Sequence, residues 1–198
     1  GVYQACRDEI KQGVESIIPF LEQQSMTDES NTQMTFALGA DHGGFELKEN
    51  LKAHLDGQGI AVQDYGPASD DSCDYPDFAQ AVARSVASGQ HTLGLLICKT
   101  GIGMSIAANK ISGVRAALVT DAETAAITRR HNDANVLCLS ATQTGAETAK
   151  GIIDAFLKDD FEGGRHERRL DKLEGSGRVE VVDPDVDEVL RLEKQRQQ

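Results

Sequence analysis

Cys98 closes an apolar run and is followed by Gly101 and Gly103 in the stretch LLICKTGIGMSIAANK, residues 95–110. Two glycines at a strand end permit a left-handed turn and let a ligand approach the chain closely. The helix expected to follow turns unpaired N–H groups and its positive dipole end toward the same place, which suits an anion. On its own such a turn reads equally well as plain punctuation, and a dinucleotide fingerprint would need a third glycine where Ile106 stands. A buried cysteine ending an apolar strand is ordinarily a small hydrophobe, the reading that fits Cys138 in NVLCLS. Cys98 differs because it faces a helix N-terminus and precedes Lys99, two influences that favour thiolate near neutrality. A thiolate there can serve as nucleophile or as general base.

Asp41 and His42 end another apolar run in GADHGGFELK. Asp41 has the position of a helix N-cap, and a role in proton transfer is compatible with that. His131, in RRHNDAN, reads as a residue at a helix end, where the dipole favours a partly cationic imidazole. Arg165, His166, Arg168 and Arg169 crowd into FEGGRHERRLDKL. The plain reading is a solvated charged face. Arg165 and Arg169, however, share one face if the segment is helical, and guanidinium forks match phosphate oxygens. With His42 nearby they would form a phosphate site at one end of a pocket.

Positioning these residues falls to five short, nearly all-apolar segments: TFALGA, IAVQDY, LGLLIC, VRAALV and NVLCLS. Helical patterns lie between and after them: FELKENLKAHLDGQG, YPDFAQAVARSVASG, MSIAANK, DAETAAITRRH and GAETAKGIIDAFLKD. Strands without polar alternation are buried on both faces, and alternating β and α elements make a parallel sheet covered on each side. The spacing predicts an α/β fold, a doubly wound, Rossmann-like, five-stranded parallel sheet in a three-layer αβα sandwich over about residues 35–160. Ligands of such sheets bind outside the carboxyl ends of the strands, which points to DHGG, KTGIG and the RRHNDAN region.

Outside this core, residues 1–34 read as an appendage: a loose helical pattern broken by Pro19, then a polar linker. Residues 174–198 read as a Gly/Ser-containing linker and a charged helix opening at DPDVDEV. The chain starts at Gly1, so its first residues are expected to be a leftover or a cut from something longer and carry no functional reasoning.

Thirty-two acidic residues against 20 basic ones leave a net charge of −12 in 198 residues, which argues against a general nucleic-acid or membrane-surface binder. A small anionic substrate stays open, since a few convergent Arg and His residues make a local positive site. The four cysteines contain no C-x-x-C pair, so neither a disulfide framework nor a structural zinc site is suggested, and a reducing, cytoplasmic setting fits. No apolar run approaches a membrane span, and the first 30 residues lack the pattern of an export signal.

Taken together and in this order, DHGGFELK, DYPDFA, CKTGIGMSIAANK, RRHNDANVL and FEGGRHERRLDKL resemble ribose-5-phosphate isomerase type B, the family that also holds the galactose-6-phosphate isomerase subunits. The resemblance covers residues 35–173. It implies an isomerase without metal or organic cofactor, a homodimer or tetramer with active sites at subunit interfaces, interconverting ribose 5-phosphate and ribulose 5-phosphate through an enediolate. Carried onto this chain, Cys98 matches the base that moves a proton between C2 and C1, and the amides of Gly101, Gly103, Met104 and Ser105 match the hole for the enediolate charge. His131 with Thr100 matches the ring-opening groups, and Asp41 helps with hydroxyl protons. Tyr75 and Asn132 match sugar contacts, and His42, Arg165 and Arg169 the phosphate clamp. Met104 stands where some members carry a catalytic glutamate, so the cysteine version is implied.

Many relatives have glycine where this chain has Lys99. Either lysine is strained there at positive φ, or its ammonium favours the thiolate or holds the enediolate. The second reading is preferred because the rest of the site is complete. Segments HNDANV and GGRHERR look like the ribose enzymes, leaving a 6-phosphohexose isomerase and a phosphosugar-binding module without turnover as rivals. The tail DPDVDEVLRLEKQRQQ resembles the opening helix of serine hydroxymethyltransferase, which would make the chain the isomerase part of a fusion.

Overall fold

In the computed structural model, which describes residues 34–175, the apolar segments become β1 (Thr35–Ala40), β2 (Ala61–Asp64), β3 (Leu93–Cys98), β4 (Ala116–Leu118) and β5 (Val136–Ser140). They form one sheet in the order β2-β1-β3-β5-β4, with every pairing parallel. The helices are α1 (Phe45–Gly57), α2 (Tyr75–Ala87), α3 (Ile102–Ala108), α4 (Ala122–Asn132), α5 (Ala146–Lys158) and α6 (Glu167–Leu173), with a 3₁₀ turn at His42–Gly44. The doubly wound αβα reading holds.

Each long helix buries a stripe at the spacing its sequence carries: Leu47, Leu51 and Leu55 on α1, Val82, Ala83 and Val86 on α2, Ile152, Ile153 and Phe156 on α5. Leu side chains buried this way contribute roughly 1.5–3 kcal/mol each. The two stripe sets meet different faces of the sheet. Phe36, Leu38, Leu95, Ile97, Leu137 and Leu139 pack with α1 and α5, while Ala37, Leu96, Cys98 and Cys138 pack with α2 and α3.

Full burial on both faces holds for β1, β3 and β5 but not for β2 and β4. These two are the sheet edges, so one flank of each lacks a neighbouring strand; along β2 half-buried and exposed side chains alternate, while β4 has two half-buried residues and then the exposed Leu118. The expected strand VRAALV shortens to three residues. Among the described residues no helix is long and apolar enough to cross a membrane. The expected N-terminal appendage and the C-terminal linker, charged helix and serine hydroxymethyltransferase-like tail lie outside the described residues.

Candidate active site

The strand order reverses between β1 and β3: the chain leaves β1 toward β2 on one side, then crosses to β3 on the other. A crevice opens outside the carboxyl ends of two such strands. Ala40 pairs with Ile97, and the Asp41 amide donates to the Ile97 carbonyl at 3.1 Å, so the next residues, Asp41 and Cys98, stand side by side at that crevice. Side chains alternate along strands, which places both on the face covered by α2 and α3. Cys98 is 5% exposed and Asp41 8%.

Downstream of Cys98 the chain turns at Gly101, φ +74°, and begins α3. The Gly101 amide donates to Cys98 Sγ at 3.1 Å. Gly103 and Met104 open the helix, where their amides lack an intrahelical acceptor. Gly103 has no room for a side chain, since a Cβ there would lie 2.8 Å from the Tyr75 ring. Tyr75 itself is 40% exposed at the start of α2. Met104's side chain is fully buried in the core, so only its amide can serve a ligand. Ser105 begins the regular ladder, its amide donating to the Gly101 carbonyl at 3.1 Å. Thr100 is exposed, and its Oγ1 accepts from the Ile102 amide at 3.4 Å.

Asp41 is the predicted cap: its Oδ1 accepts from the Gly44 amide at 3.0 Å. His42 is exposed, with Nδ1 3.3 Å from the Cys73 backbone. Lys99 is not at positive φ; among the described residues Asp133 is the non-glycine residue that is. The strained-lysine reading therefore falls. The Lys99 carbonyl accepts from Thr142 Oγ1 at 2.7 Å and Ser140 Oγ at 3.0 Å, tying the loop after Cys98 to the end of β5, while the side chain is exposed. Cys138 is a core residue, fully buried, and burial pushes its thiol well above its ordinary range.

The remaining predicted residues are elsewhere. Helix α4 runs back antiparallel to the strands and delivers His131 and Asn132 to the amino end of β5, where Arg115 Nε donates to the carbonyls of Asn132 and Asp133 at 3.0 and 2.8 Å. Cys98 pairs with Ser140 at the other end of that strand, separated by the length of Val136–Ser140, about 13 Å. The expectation that RRHNDAN lies at the carboxyl ends is thus corrected. Arg165 and Arg169, expected to form a phosphate site with His42, lie at this same end of the sheet. The loop carrying these arginines is held to α4, the Glu162 amide donating to the Arg130 carbonyl at 3.0 Å. Arg165 also precedes α6, whose cap is His166, so it shares no helix face with Arg169.

At this second end the His131 and His166 rings stack, centroids 4.2 Å apart and planes 8° from parallel. Glu162 Oε2 lies 3.7 Å from His131 Nε2 and 4.0 Å from His166 Nε2. These three side chains carry the donor types of a transition-metal site, but near-parallel rings direct their lone pairs along separate lines, which suits no single ion at ~2.1 Å from both nitrogens. A cavity of about 260 Å³ beside Asn132 is lined by Arg115, Thr128, Ala134, Leu170 and Leu173. Glu162, Asp133 and Arg115 were missed in the sequence, because nothing in their spacing shows that they converge on His131 and Asn132.

A family model described as Ribose/Galactose Isomerase matches residues 36–173. Ribose-5-phosphate isomerase B of Escherichia coli (strain K12) is 46% identical over 137 residues, 69% of this chain and 92% of its own length. The probable ribose-5-phosphate isomerase B of Mycoplasma genitalium is 50% identical over 139 residues, 69% of this chain and 91% of its own. Among solved structures, the type B ribose 5-phosphate isomerase of Trypanosoma brucei superposes with a TM-score of 0.71 at 44% identity, covering 73% of this chain and 99% of that one. Mycoplasma genitalium ribose-5-phosphate isomerase B with bound ribulose-5-phosphate gives 0.71 at 44% identity, covering 74% and 97%.

Proposed function

The chain belongs to the ribose/galactose isomerase family, and from that premise we propose that it interconverts ribose 5-phosphate and ribulose 5-phosphate by proton transfer at Cys98. The observation that carries the assignment of the base is the Gly101 amide aimed at Cys98 Sγ, 3.1 Å away, in the crevice beside Asp41. An N–H pointed at sulfur stabilises charge there. The thiolate takes the C2 proton of the open-chain sugar and returns it at C1, while Asp41 passes protons between the two hydroxyl oxygens. Charge developing on the enediolate meets the amides of Gly103 and Met104. Tyr75 bounds the sugar where Gly103 leaves space for its ring.

His131, Asn132, Arg165 and Arg169 complete the reaction as ring-opening, sugar-binding and phosphate-binding groups, with His42 facing them across the site. Because they sit at the opposite end of the sheet from Cys98, a complete site takes its two halves from two copies of the chain, and the enzyme works as a homodimer. Ile102 and Ile106, one turn apart on α3, and Leu118 on β4 keep more than a third of their surface open, an apolar patch beside the Cys98 loop that supports this assembly. The matched span supports taking residues 35–173 as the isomerase domain. Cys73, Cys98 and Cys138 are free thiols, which suits a reducing cytoplasm.

Ribulose 5-phosphate formation from ribose 5-phosphate, followed in EDTA beside Cys98→Ala, tests the reading. Turnover by the parent and not by the variant is expected. Phosphosugar binding without turnover in the parent overturns it in favour of a binding module.

A further inference from the structure

His166 is 5% exposed, the buried member of an otherwise open basic loop. Its ring face lies against His131, and its Nε2 accepts from Arg165 Nε at 3.2 Å. Accepting at Nε2 leaves the ring proton on Nδ1, so the ring is neutral. Burial holds this imidazole below its ordinary range, and the neighbouring His131, Arg165 and Arg169 push the same way against the weaker pull of Glu162. A neutral ring can stack on His131 without adding a charge beside it. With Nε engaged, the guanidinium of the exposed Arg165 has one corner fixed.

We propose that His166 is a positioning residue that links the phosphate clamp to the ring-opening imidazole: its face sets the plane of His131, and its Nε2 sets the fork of Arg165. The inference rests on the isomerase reading for the tasks of those two neighbours. A phosphate gripped by Arg165 then bears on His131 through one rigid, buried ring. The loop is suited to this, because the bond from Glu162 to the Arg130 carbonyl anchors it one residue from His131. Glu162 stands near both imidazoles and limits the ways in which they can turn.

Two replacements separate the two contacts. His166→Phe keeps a flat ring against His131 and removes the acceptor for Arg165; KM for ribose 5-phosphate should rise about tenfold with kcat within about twofold. His166→Gln keeps an acceptor and removes the ring; kcat should fall about tenfold with KM within about twofold. Any other pattern, including equal losses in both or no change in either, overturns the proposal.

A measurement on the parent guards against variants that fail to fold. Imidazole nitrogen NMR during titration with inorganic phosphate should move the His166 and His131 signals together at one midpoint, and Arg165→Met should abolish both movements. Phosphate that moves neither, or His166 alone, overturns the link. This arm needs no turnover, so a parent that shows the coupled shift but does not isomerise ribose 5-phosphate refutes the isomerase reading separately.

Discussion

The backbone N–H of Gly101 donates to Cys98 Sγ at 3.1 Å across a turn that only a left-handed residue closes. A Cβ on Gly101 would stand 2.4 Å from Leu118 Cδ1 and 2.9 Å from the Leu139 carbonyl oxygen. Gly101→Ala must therefore move the turn and take the amide off the sulfur. Turnover of ribose 5-phosphate should fall at least about tenfold, and urea unfolding should show about 2 kcal/mol of lost stability, from the φ cost and the overpacking together. Unchanged turnover would separate the amide from the chemistry.

The proposal that each site takes its halves from two copies of the chain makes subunit mixing informative. Cys98→Ala and His131→Ala should each be inactive alone. Unfolded together and refolded in equal amounts, the two variants should give mixed dimers as half of the total under the proposed assembly, each with one site in which both residues are intact. About a quarter of the parental activity should return. No recovery, with mixed dimers demonstrated, would place both residues in a single-chain site.

Lys48 on α1 is fully buried and is hydrogen-bonded to Asp64 at the end of β2, with Glu49 at 2.7 Å and Lys52 3.2 Å from the same Asp64 oxygen. Burial works to raise the Asp64 pKa, but the bonds from Lys48, the Gly66 amide and Lys52 outweigh it and hold the carboxyl below its usual range. A depressed folded pKa contributes stability that is complete above the unfolded value, ~3.9, and is lost as pH falls through the folded value. Urea midpoints should therefore be flat with respect to this group above about pH 5 and fall below about pH 4. Asp64→Asn should flatten that acid limb and cost about 2 kcal/mol or more at pH 7, since it withdraws a partner from a buried ammonium. A variant that keeps the full acid limb would assign the limb to other carboxylates.

Asp133 takes φ +43° at the end of α4, a conformation that costs a non-glycine residue about 1 kcal/mol or more. Two arginines hold it there: Arg115 Nη2 at 2.7 Å and Arg129 Nη1 at 3.0 Å. Arg115 also grips the Asn132 and Asp133 carbonyls. Arg115→Met should lower stability by about 2 kcal/mol and raise KM for ribose 5-phosphate several-fold, because Asn132 loses its anchor. A stability loss with KM unmoved would make the clamp purely structural.

Much of this could be read directly from residue order. Apolar runs of four to six residues alternating with helical stripes allow little but a covered parallel sheet, because every such run needs neighbours on both faces and every stripe needs a sheet to cover. Local pattern also identified the Asp41 cap and the turn at Gly101, since both are made by residues a few positions apart. The same local reading failed where partners are distant. It took IAVQDY and VRAALV for interior strands, although an edge position is set by strand order, and it placed RRHNDAN at the carboxyl ends, although α4 returns the chain to the opposite end.

The sequence by itself determined the family and the set of candidate groups, because motif spacing is a property of the chain. Only the tertiary structure decided how those groups divide. Parallel strands joined by returning helices send Asp41, Cys98 and Tyr75 to one end of the sheet and His131, Asn132 and the arginines to the other. It also decided that His166 is buried between His131 and Arg165, which no spacing along the chain could show, because 35 residues separate the two histidines that stack.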